Sequence, residues 1–134
     1  MTRILATYAA TLIGFLAIDF IWLAFIATKF YKDQLGEMML DKPHMGVAFA
    51  FYALYAAGMV LFAVMPGLEA RSWAKTALLG GALGLVAYGT YDLTNYATLK
   101  NWPLTMTLVD LGWGASVTAA GATIGYFVSN WMFD

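Results

Sequence analysis

Four apolar runs, Ile4–Ala27, Gly46–Met65, Thr76–Thr98 and Leu104–Val128, fill most of this 134-residue chain. Each meets or passes the roughly 20 helical residues that cross about 30 Å of hydrocarbon. Inside a bilayer a backbone must satisfy its own hydrogen bonds, which leaves helices or a closed barrel. A barrel needs alternating polar and apolar residues, and the runs do not alternate. The sequence therefore predicts an all-α integral membrane bundle, residues 1–134 forming one domain of four transmembrane helices. The first run exceeds the usual h-region of roughly 7–15 residues, holds Asp19 and precedes no A-x-A site. It is expected to be an uncleaved anchor.

Composition agrees. Hydrophobic residues make up 62% of the chain and charged ones 11%, against about a quarter charged in a soluble domain. The expected partner is the lipid bilayer. A net charge of −1 gives no basic surface for nucleic acid. The chain has no cysteine, so disulfides and thiolate chemistry are excluded. The single histidine, His44, reads as a surface residue, and neither a metal nor a cofactor is expected. No Ser-His-Asp set, P-loop or H-E-x-x-H is present.

The links carry their own signals. Pro66-Gly67 reads as a helix end. "KNWP" (100–103) reads as a tight hairpin with Trp102 as an interfacial anchor. Residues 28–44 offer Phe30, Tyr31, Leu35, Met38 and Met39 as one face of a short helix on the membrane surface, or a loop or lid. The termini side carries three Lys/Arg and the opposite side four, so the positive-inside rule sets no orientation.

Asp19, Asp92 and Asp110 interrupt three of the runs. Counting from the nearest helix end at 1.5 Å per residue, they lie roughly 13, 12 and 9 Å below one surface, that of the 28–44 and 100–103 links. Nothing comparable occurs in the other leaflet. A charged Asp facing lipid costs roughly 2.5–3.5 kcal/mol. Three would cost roughly 8–10 kcal/mol, as much as the net stability of a domain. They are therefore expected to face inward.

Polar and aromatic partners lie at helical spacing. Tyr88, Asp92, Asn95 and Tyr96 share a face, continued by Gly81 and Gly84, with Tyr91 beside it. Tyr8, Phe15, Asp19, Trp22 and Ile26 form another, and Asp110, Trp113, Gly114, Val117 and Gly121 a third. "DFIW" (19–22) and "DLGW" (110–113) run antiparallel. Asp19 then comes level with Trp113 and Trp22 with Asp110, so each indole N–H can donate to the facing carboxylate. The candidate site is Asp19, Trp22, Tyr88, Tyr91, Asp92, Asn95, Tyr96, Asp110 and Trp113.

Tyr91-Asp92-Leu93-Thr94-Asn95, Leu99-Lys100, Trp102-Pro103 and the two D-x-x-W units carry a resemblance. Over essentially its full length the chain resembles a family of small four-span bacterial inner-membrane proteins catalogued as a domain of unknown function. The resemblance implies architecture, bacterial origin and a multi-pass place in the inner (cytoplasmic) membrane, without an activity.

Three functional readings follow. The first is a cavity that binds or transports a small molecule, with protons exchanged at the acids, in a homodimer of the small-transporter kind. The second is a membrane enzyme acting on a lipid or isoprenoid, one carboxyl serving as acid and another as base. The third is an accessory subunit of a larger complex, the acids acting as a polar zipper between helices. In all of them, carboxylates gathered in low dielectric cannot all ionise. At least one is expected to hold a proton near neutrality. Infrared titration checks this: a carboxylic-acid carbonyl band should persist at neutral pH, and three carboxylates ionised together at that pH would contradict it.

Overall fold

The computed structural model describes residues 1–134, which are helical apart from short links. α1 (Thr2–Trp22) passes through a π turn, Leu23–Ala27, into α2 (Thr28–Leu35). α3 (Met45–Met59) passes through a second π turn, Val60–Val64, into α4 (Met65–Ala70). α5 (Trp73–Thr98) and α6 (Leu104–Phe133) are unbroken. Four helical rods result, each joined to the next by a short link.

Two rods, Thr2–Met38 and Met45–Ala70, are long and apolar enough to cross a membrane. α5 and α6, at 26 and 30 residues, have the length but a more mixed composition. Glycine and threonine on their inner faces dilute the apolar character.

α6 is the axis of the bundle, with α1 on one side and α5 on the other. Small residues allow the approach. A Cβ on Gly84 would collide with the Gly114 carbonyl of α6, and one on Gly125 would collide with Oγ1 of Thr11 in α1. Beside the future site lies an apolar cluster that includes Phe15, Tyr55, Met59, Val117 and Tyr126. Its one buried hydroxyl pair, Tyr55 with Thr118, is bonded at 2.8 Å. The outer faces are apolar, with Phe25, Leu54, Leu78 and Val86 exposed.

Three links depart from the sequence reading or add to it. Pro66 does not end its helix; it opens α4, which stops only at Arg71 in the left-handed region. The ring of a helical proline clashes with the carbonyl four residues back. That residue, Phe62, lies inside the second π turn, whose wider winding accommodates the proline. Trp102 is 9% exposed and packs edge-on against Tyr91 at 5.6 Å, so its ring is held by the protein. Residues 28–35 are not a separate surface helix: α2 continues the first rod.

At the opposite end Arg3 clamps α1 to the end of α6, donating to both oxygens of Asp134 at 3.0 and 2.8 Å. The guanidinium holds the Asp134 carboxyl below its usual range. Its contribution is present above the unfolded value and lost as pH falls through the folded one. The pair is exposed, so the contribution is small.

The glycine contacts yield a prediction. Gly84→Ala should destabilise the detergent-solubilised protein by about 1–3 kcal/mol, the range for overpacking. Gly112→Ala, where nothing lies within 4 Å, should leave the melting temperature the same or raise it slightly. Equal effects of the two would contradict the packing.

Candidate functional site

The three buried carboxyls meet at one end of the bundle. Asp19 of α1, Asp92 of α5 and Asp110 of α6 line a single cavity of about 350 Å³. They are 6%, 0% and 7% exposed. Of the other candidates, Trp22, Tyr88, Tyr91 and Trp113 line the same cavity. Asn95 and Tyr96 do not line it, and Tyr96 is 46% exposed. The α5 helix turns the face of Asp92 inward and carries Tyr96, four residues on, past the end of the cavity.

The two D-x-x-W units engage asymmetrically. Trp113 donates its indole N–H to Asp19 at 3.0 Å, as the antiparallel register implied. Trp22 does not reach Asp110. It donates at 3.4 Å to the hydroxyl of Tyr31, and Tyr31 in turn donates to Asp110. The two indoles stack, with centroids 4.4 Å apart and planes at 10°.

The first π turn makes that relay possible. Tyr31 follows Trp22 by nine residues, which is 2.5 turns at 3.6 residues per turn, so an unbroken α-helix would set them on opposite faces. The wider π turn removes part of the offset and brings Tyr31 over the cavity. Thr28 steadies the turn, giving both its N–H and its hydroxyl to the Leu23 carbonyl. The same shift leaves Ile26, expected on the Asp19 face, 55% exposed.

The 28–44 segment forms the cover of the cavity. Tyr31, Leu35, Met38 and Met39 line it from above. The sequence reading grouped these residues on one face and offered a membrane-surface helix, a loop or a lid; in the structure the face turns onto the cavity. α3 contributes a residue it did not single out: Tyr52 donates to the second oxygen of Asp19 at 3.0 Å. "FYALY" (51–55) holds two tyrosines in an uncharged run, a pattern that gives no sign of which ring meets an acid.

Asp19 thus has two neutral donors and Asp110 one. Asp92 has none: both its oxygens are buried without a hydrogen-bond donor. Asp110 lines the same cavity. No Lys, Arg or His lines the cavity. Its chemistry is that of acidic groups enclosed by aromatic rings.

Fold and composition define a helical membrane protein. Residues 4–127 match the family described as "Predicted membrane protein (DUF2177)", and the chain belongs to that family. No curated protein and no solved structure matches it.

The Tyr52–Asp19 bond is testable by a double-mutant cycle. Tyr52→Phe should cost about 1.5–3 kcal/mol, the range for a hydrogen bond to a charged acceptor. In an Asp19→Asn background the cost should drop markedly. Equal costs in both backgrounds would show that the hydroxyl does not serve the carboxylate.

Proposed function

We propose that this protein binds a small molecule inside the membrane, in the cavity between α1, α5 and α6, and exchanges protons at its acids as it does so. One observation carries the reading: Asp92 is buried in the cavity wall with no hydrogen-bond donor for either oxygen. A polar zipper places acids where partner helices satisfy them. Asp19 fits that description, with Tyr52 and Trp113 bonded to it. Asp92 does not. A buried polar group without a partner is costly, and a site that receives a ligand is a reason to retain one.

In this reading all four rods cross the membrane. α5 and α6 reach across because their polar residues face inward and their outer faces carry Leu78, Leu85, Val86 and Phe127. The bilayer is the bacterial inner membrane, in keeping with the resemblance. Tyr31 latches the cover on Asp110, and release of that bond opens the cavity toward the nearer headgroup layer. A homodimer fits the small size of the chain, with the apolar outer faces as its contact.

The Asp92–Asp110 pair favours one second reading, an enzyme acting on a lipid. Two carboxyls in one cavity wall can divide the roles of acid and base between them. Lipid mass profiles separate the two readings: an enzyme changes them on expression, and its Asp92→Asn form does not.

Native mass spectrometry of protein released from its membrane tests the binding reading. Wild-type protein should carry a small-molecule adduct, which Met106→Trp, filling the cavity wall, should lose. An adduct retained at equal occupancy in the filled variant would contradict the reading.

A further inference from the structure

We infer that the cavity selects a monovalent organic cation, an alkyl- or arylammonium group. The inference rests on the binding reading above and adds the ligand class. Charge is the first argument. Tyr52 and Trp113 satisfy the lone pairs of Asp19 but cancel no charge. Tyr31 does the same for Asp110. Asp92 has no hydrogen-bond donor for either oxygen. The bundle supplies no counter-cation, since the sole ion pair, Arg3–Asp134, lies at its other end. A buried carboxylate without a cation is expensive, and a bound cation removes that cost.

The walls decide which cation. Stacked Trp22 and Trp113, with Tyr31, Tyr52, Tyr88 and Tyr91, surround the acids. Aromatic faces attract ammonium groups, most strongly where water is excluded. A hard metal ion instead needs converging oxygens, and no group of three carboxylates is placed to hold one. At about 350 Å³ the cavity has room for an organic group, at the small end of ligand pockets.

Protons and cation then compete. Every titratable group facing Asp92 and Asp19 is an acid or a phenol: Tyr31 on α2, Tyr52 on α3, Tyr88 and Tyr91 on α5, and Asp110 on α6. Protonation can therefore only lower the negative charge of the site, and binding must weaken as pH falls.

Three probes test this on the full chain in detergent, read by tryptophan fluorescence. They are benzyltrimethylammonium, its uncharged isostere neopentylbenzene, and benzoate. The cation should bind saturably, about tenfold or more tighter than the isostere. Its affinity should fall as pH drops from about 8 to about 5, through the range of buried carboxyls. Asp92→Asn should weaken the cation and not the isostere, and the pH series on wild-type protein gives the same answer should that variant fail to fold. If the isostere or benzoate binds as tightly as the cation, or if the cation's affinity does not change with pH, the ammonium inference is wrong while the cavity remains a binding site. If no probe binds and the adduct is also absent, both fall.

Discussion

Three carboxyl groups are buried where no lysine, arginine or histidine reaches them, and much of the structure around them serves to make that tolerable. Lipid cannot solvate a carboxylate, so the acids must find donors, share protons or meet a cation within the bundle. The first solution is visible at two of the three acids. Asp19 takes an indole N–H from α6 and a phenol from α3, which ties three helices together at one point. Asp110 takes the Tyr31 phenol and so fastens the cover. Asp92 is left without a donor for either oxygen.

The close approach of the helices is a precondition for this arrangement. Gly84 against Gly114 brings α5 onto α6 near the level of Asp110, and the Tyr88 ring seats on Gly114 itself, where a Cβ would collide with it. Larger residues there would separate the carboxyls of Asp92 and Asp110. The cluster around Phe15 and Tyr55 packs beside the cavity, and α2 with the link after it forms the cavity's cover.

Much of this was legible from the sequence because lipid imposes a simple rule. Long apolar runs marked the helices, and helix rise alone put Asp19, Asp92 and Asp110 in one layer. The antiparallel D-x-x-W units even gave the Trp113–Asp19 bond. What stayed hidden depends on departures from ideal winding. The π turn at Leu23–Ala27 has no sequence signature, yet it rotates Tyr31 inward and Ile26 outward. Trp102 carries an interfacial composition signal, but the left-handed Asn101 turns the hairpin so that its ring packs beneath Tyr91. Tyr52 lies in a run too uniformly apolar to show which side faces the acids.

The central claim is that the acidic cluster is walled off from acyl chains, and Trp113 reports it directly because its indole touches Asp19. The chain has five tryptophans, so variants retaining only Trp113, or only the outward-facing Trp73, can be reconstituted in bilayers containing dibrominated lipid, whose bromines quench fluorescence on contact. The account predicts strong quenching of Trp73, which is 54% exposed, and little quenching of Trp113. Equal quenching of the two would place the cluster against lipid and contradict it.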